Sequence, residues 1–207
     1  MHSALGEDRR LRLVELLFDG DLTVREIGTE LGMPGNLLAH HLNVLEEAGV
    51  IARLDSDGDR RRRYVALRRA VLDGLIPSLA RLSGSVVFVC THNSARSQYA
   101  AAYWHSVTGR VAVSAGSHPA AQVHPIAIRV ALERGIDLSS VVPRGYESIT
   151  FVPDVLISVC DRARQEPLPE AQRRLHWSIP DPVTAGKVAG FRSAFVEVER
   201  RVNELIA

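Results

Sequence analysis

Residues Ser85–Val89 read Ser-Val-Val-Phe-Val, an apolar, β-branched run that ends at a cysteine. Such a run predicts a strand buried on both faces, the mark of a parallel sheet covered by helices. Cys90 then falls at the strand's C-terminal end, followed by Thr91–His92–Asn93–Ser94–Ala95, by Arg96 and Ser97, and by helix-forming Gln98–Trp104. In a strand, tight loop and helix of this kind, backbone N–H groups converge on one point and bind an anion. A cysteine at the base of that cradle sits in a positive field, which predicts a lowered pKa and a thiolate near neutrality. Arg96 can fold back and grip two oxygens of a tetrahedral oxyanion with its planar fork. Ser97 is placed to hydrogen-bond the sulfur, and Asn93 tolerates a left-handed backbone. Further on, Asp181 stands between Pro180 and Pro182, in a stiff loop that can hold a carboxyl in place to protonate a departing oxygen.

From Ser85 onward, strands alternate with helical stretches, an α/β grammar. Up to about Arg81 the pattern is different: short helices, then a charged hairpin. The seam is the polar stretch Leu82–Ser85, so the expected domains are 1–82 and 85–207. In the first, helices are expected over Arg9–Phe18 and Val24–Leu31, with Asp21 and Thr23 as N-cap candidates. A third carries the stripe Leu38, Leu42 and Leu45 and closes at Ala48–Gly49. Strands follow at Val50–Leu54 and Arg63–Leu67 around the turn Asp57–Gly58, then a last helix over Ala70–Arg81.

Two helices joined by a Gly-containing turn and followed by a basic hairpin describe a winged helix-turn-helix. The stretch from Ala39–His40–His41–Leu42 through Ala48–Gly49–Val50–Ile51 resembles the recognition helix of arsenic-responsive, ArsR-type repressors. The likeness covers residues 8–80. It implies a homodimer formed by the first and last helices, with Asn36, His40 and Asn43 facing base edges of operator DNA. Wing residues Arg60, Arg61, Arg62 and Arg63 would lie beside phosphates. Residues 1–83 hold 12 Arg against 13 Asp and Glu, a net charge of −1. That count leaves open a winged helix used only as a dimer handle. Val24–Gly32 lacks the cysteine pair often found there in metalloid-sensing members of that family.

Residues 85–206 resemble the low-molecular-weight tyrosine phosphatase superfamily, and its arsenate-reductase branch most closely. The resemblance implies a four-stranded parallel sheet flanked by helices, with the site at its C-terminal ends. It makes Cys90 the nucleophile, residues Thr91, His92, Asn93, Ser94, Ala95 and Arg96 the oxyanion loop, Ser97 the thiolate's support and Asp181 the general acid. Arg96–Ser97–Gln98, Ser114–Ala115–Gly116–Ser117, Val123–His124–Pro125 and Glu133–Arg134–Gly135–Ile136–Asp137 follow the reductase pattern. Val183 stands where tyrosine phosphatases usually place a tyrosine. A phosphatase remains the alternative reading, as does a transcription regulator with an idle oxyanion-binding domain. Thioredoxin-coupled reductases use three cysteines. Here Cys160 resembles their second and Glu166 occupies the place of the third, which excludes an internal three-thiol relay. Either Cys160 forms a disulfide with Cys90, or an external thiol (mycothiol, glutathione or a thioredoxin-type system) attacks the adduct, or Cys160 is inert.

Two cysteines make neither a disulfide scaffold nor a Cys-rich zinc site, and the eight histidines show no metal-ligand spacing. No bound cofactor is expected. Apolar residues at 46% and charged residues at 24% exclude wholesale disorder, and a net charge of +1 gives no global pull on nucleic acid. No apolar run reads as a signal peptide or membrane span, so a cytoplasmic protein is expected.

Overall fold

A computed structural model describes residues 2–59, 61–72, 84–184 and 187–206. The chain divides into two compact units, residues 1–79 and 80–207.

The first unit runs α1 (His2–Leu5), α2 (Asp8–Leu17), β1 (Leu22–Thr23), α3 (Val24–Glu30), α4 (Gly35–Glu47), β2 (Ile51–Asp55) and β3 (Arg63–Leu67), then a 3-10 turn at Arg69–Leu72. The capping signal at Thr23 is real. Its hydroxyl accepts the Glu26 amide at 3.2 Å while the Glu26 carboxylate accepts the Thr23 amide at 2.8 Å, and α3 starts there. Gly32, at φ 57°, supplies the left-handed residue that ends α3 and opens the turn to α4. Leu38, Leu42 and Leu45 are buried against Leu13, Leu17, Ile27, Val50 and Val65, so the apolar stripe of α4 is its core face. The hairpin β2–β3 pairs Asp55 with Arg63, and β1 adds a two-residue edge to β3, too short to leave a periodicity in the sequence. Most of the helix expected over Ala70–Arg81 lies outside the described residues.

The second unit runs β4 (Val86–Cys90), α5 (Arg96–Thr108), β5 (Val113–Gly116), α6 (Pro125–Leu132), β6 (Val155–Ser158), α7 (Asp161–Gln165), β7 (Arg173–His176) and α8 (Val188–Ile206). Its four strands are parallel, in the order β5-β4-β6-β7. The β-branched run is buried along its whole length because both faces of β4 are covered. Val86, Phe88 and Cys90 face a core that includes Tyr99, Trp104, Phe191 and Phe195, while Val87 and Val89 face Ala115 and Leu156. On α8, Phe191, Phe195, Val198 and Val202 form the buried stripe, with Phe195 stacked 3.8 Å from the ring of Tyr99. The chain leaves β4 toward β5 and then crosses back to β6 on its other side. The strand order therefore switches at β4, and the crevice of an open parallel sheet lies at such a switch, beyond the strands' C-terminal ends. Cys90 ends that strand.

Candidate active site

The loop between β4 and α5 is held by its carbonyls. Those of Cys90, Thr91, His92 and Ser94 accept N–H bonds from Ser117 (3.2 Å), His118 (2.8 Å), Ala120 (3.0 Å) and His124 (2.9 Å). In a trans peptide the C=O and the next N–H point opposite ways. The amides of residues 91, 92, 93 and 95 are thereby turned to the other side of the loop. One of them, Asn93 N–H, donates to Cys90 Sγ at 3.1 Å. Ser97 Oγ lies 3.0 Å from the same sulfur. Packing this tight excludes a side chain at Gly116: a Cβ there would stand 2.6 Å from the Thr91 carbonyl.

Asn93 is the loop's keystone. Its backbone is left-handed, at φ 47°. Its Nδ2 donates to Ser97 Oγ at 2.9 Å and to Ser114 Oγ at 3.0 Å, and its Oδ1 accepts from Gln98 Nε2 and the Arg144 amide, both at 2.8 Å. Ser114 closes the ring by donating to Gln98 Oε1 at 3.1 Å. Sequence reasoning placed Asn93 in the oxyanion loop by resemblance and by its tolerance of a left-handed backbone, and gave Ser114, Gln98 and the Arg144 amide no role at the site. The available signal was chemical: a buried amide side chain needs partners for every donor and acceptor.

Arg96 begins α5 and reaches across to residues 179–181. Its Nη1 donates to the Ile179 carbonyl at 2.6 Å and its Nη2 lies 3.4 Å from Asp181 Oδ1, with side chains only 7% and 12% exposed. Asp181 is also tied by the Val183 amide at 3.1 Å. The structure thus brings together Cys90, residues 91–97 and Asp181. It adds Cys160, whose Sγ lies 3.2 Å from Thr91 Oγ1 and accepts the Ala163 amide at 3.4 Å. Both cysteines are free and buried.

One expectation is corrected. The positive field of the loop was to leave Cys90 ionised near neutrality. Burial instead pushes its thiol above the ordinary value, and a charge on Cys160 pushes it further. The Arg96 guanidinium and the hydrogen bonds from Ser97 pull it down without reversing the direction. A sulfur with 3% of its residue's surface exposed loses more by desolvation than one guanidinium and two donors return.

In the first unit, Asn36, His40 and Asn43 are exposed along α4, one to two turns apart, opposite its buried stripe. Asn43 Oδ1 accepts from Arg53 at 2.8 Å and Asn36 Oδ1 from the Leu37 amide at 2.8 Å. Of the wing arginines, Arg61 and Arg62 lie 3.2 and 3.6 Å from Asp59, and Arg63 lies 2.9 Å from Asp55. Arg60 lies outside the described residues. Among the described residues no cluster of His, Cys, Asp and Glu has the arrangement of a metal site, and no helix is long and apolar enough to cross a membrane.

A family model for low molecular weight phosphotyrosine protein phosphatases matches residues 85–207, more than half of the chain. The chain belongs to that family. Residues 7–53 match the model for ArsR-family bacterial regulatory proteins. Within the phosphatase family the similarity runs to arsenate reductases. A glutaredoxin arsenate reductase of Synechocystis sp. is 32% identical over 126 residues, 59% of this chain and 95% of the relative. An arsenate reductase of Brevibacillus brevis is 35% identical over 108 residues, 50% of this chain and 78% of the relative. The crystal structure of an Archaeoglobus fulgidus arsenate reductase superposes with a TM-score of 0.52 at 30% identity, covering 59% of this chain and 98% of the other. A solved arsenate reductase in its phosphate-binding state gives 0.52 at 31% identity, covering 60% and 97%.

Proposed function

We propose that the second unit reduces arsenate to arsenite, with Cys90 as nucleophile. The oxyanion is held by the inward amides of residues 91, 92, 93 and 95 and the fork of Arg96, and its geometry matches phosphate closely enough for one cradle to accept either. The Cys90 thiol displaces a hydroxyl from arsenic. An S–As bond forms, and water leaves carrying that oxygen, with Asp181 passing it a proton and the thiol's own proton balancing the exchange. Ser97 and the Asn93 amide stabilise charge on the sulfur as its proton departs.

The observation that favours reduction over ester hydrolysis is the second sulfur, held on the loop's own Thr91. Cys160 attacks the Cys90 sulfur; an S–S bond forms, the S–As bond breaks, and its electron pair stays on arsenic, which leaves as arsenite. Cys160's proton goes to an arsenite oxygen. Glu166 stands where a third thiol would be needed, so an external thiol donor, of mycothiol, glutathione or thioredoxin type, reduces the disulfide. The first unit serves as a regulatory, operator-binding homodimer through Asn36, His40, Asn43 and the wing. Two free thiols suit a cytoplasmic setting.

The test is arsenate-dependent oxidation of each thiol donor beside aryl-phosphate hydrolysis, in wild type and Cys90→Ser. Arsenite formation lost in Cys90→Ser supports the reading. Thiol-independent ester hydrolysis without arsenite formation would make the protein a phosphatase.

A further inference from the structure

Behind the loop lies a buried acid–base pair that the chemistry above does not use. Asp161 opens α7, next to Cys160, and is 2% exposed; His176 ends β7 and is 3% exposed. His176 Nε2 lies 3.2 Å from Asp161 Oδ1. On the ring's other side, Nδ1 lies 3.1 Å from the Ser158 carbonyl and 2.8 Å from Ser158 Oγ.

The ring's neighbours constrain its protons. An ionised carboxylate only accepts, so Nε2 must carry a hydrogen toward Asp161. Nδ1 either donates to the Ser158 carbonyl, giving a buried imidazolium–carboxylate pair, or accepts from the Ser158 hydroxyl. In both arrangements the Nε2–H···carboxylate bond is the same. It ties the first turn of α7 to the end of β7, while Ser158 anchors the ring to the end of β6. Cys160 lies between those two anchors in sequence, with extended backbone at φ −160° and ψ 138°. Its sulfur is set on Thr91 Oγ1 at 3.2 Å.

We propose that Asp161 and His176 are positioning residues for Cys160: their buried bond fixes the main chain that presents the second sulfur to the β4–α5 loop. The role rests on the reductase reading for its purpose but not for its test. The bonds that hold the pair run between Asp161, His176 and Ser158, on the segments that flank Cys160, so losing the pair should impair the second sulfur and spare the first.

The experiment uses the full chain, reduced and then freed of thiol, and follows the Cys90–Cys160 disulfide by mass spectrometry of peptides. One arm starts the reaction with arsenate, the other with diamide, a general dithiol oxidant. Cys90 alkylation by iodoacetate, with and without inorganic phosphate, is measured in parallel. The expected result is that His176→Leu and Asp161→Ala slow disulfide formation about tenfold or more in both arms, as a misplaced reacting atom does. Their Cys90 alkylation and its phosphate protection should stay within about twofold of wild type. His176→Gln, which keeps an N–H where Nε2 stood, should recover most of the rate. Equal disulfide rates in all variants overturn the proposal, as does equal loss of Cys90 protection, which would mark a general collapse of the unit. Failure of His176→Gln to recover any rate also counts against it. A wild type that closes the disulfide with diamide but not with arsenate sinks the reductase reading and leaves the positioning result standing. Closure with neither overturns both.

Discussion

The two units expose opposite ways of placing functional side chains. In the second, Cys90, Asn93, Arg96 and Ser97 are all buried, and the loop that carries them is fixed by partners from other segments: residues 114–124, the Arg144 amide and residues 179–181. In the first, Asn36, His40 and Asn43 lie on the exposed side of α4, and Arg61, Arg62 and Arg63 pair with Asp59 and Asp55 at the surface. A buried network is set before its ligand arrives, so little reorganisation remains to oppose binding. An exposed face gains order only from its partner, and its ion pairs are weak enough to exchange an aspartate for a phosphate. Substitutions should therefore act sharply and cooperatively in the second unit, and modestly and additively in the first.

The largest expected effect is Cys90→Ser, which should lower arsenite formation by at least about a thousandfold. A smaller loss, read as the rate of arsenite formation per enzyme, would mean that the buried network is not the reacting centre. Arg96→Lys comes next. It keeps the charge but loses the fork, and kcat/KM for arsenate should fall by about a hundredfold. Unaltered kinetics would show that a point charge suffices. Asn93→Ala tests cooperativity: it removes at once a partner of the Ser97 hydroxyl, the Ser114 hydroxyl, the Gln98 amide and the Arg144 amide. Urea unfolding should show a loss of about 1–3 kcal/mol for the second unit, with Ser97→Ala and Asn93→Ala non-additive in the double variant.

A smaller effect follows from protonation. Since the folded protein holds the Cys90 proton to higher pH than the unfolded chain, stability is full below the ordinary thiol value. It falls as pH climbs from about 8.5 toward the raised folded value. Urea titrations across that window should show the decline in wild type and a flatter profile in Cys90→Ser. The smallest effect belongs to the wing. Arg61→Ala or Arg62→Ala should weaken DNA binding across sequences and lower the slope of log affinity against log salt by about 1. An unchanged slope in a gel-shift salt series would assign the wing no phosphate contact and favour a dimer handle.

Much of this was legible in the sequence because the signals were local. The run ending at Cys90 could only be a doubly covered strand, the stripe Leu38, Leu42 and Leu45 could only be a core face, and Thr23 is an N-cap candidate by its own side-chain chemistry. What escaped was long-range. Nothing near Asn93 announces that Arg144, 51 residues on, supplies an amide to its Oδ1. The proximity of Cys160 to Thr91, 69 residues apart, depends on how β6 pairs with β4. The direction of the Cys90 shift was missed for the same reason: a loop's positive field can be read from its motif, but desolvation is set by how many distant segments close over it.

The account rests on a buried sulfur at the floor of an oxyanion cradle, and the rate of Cys90 alkylation by iodoacetate, followed against pH with and without phosphate, tests it most directly. The rate should rise only above the ordinary thiol range and be suppressed by phosphate in wild type but not in Arg96→Ala. Rapid alkylation at neutral pH that phosphate leaves unchanged would contradict both the burial and the cradle.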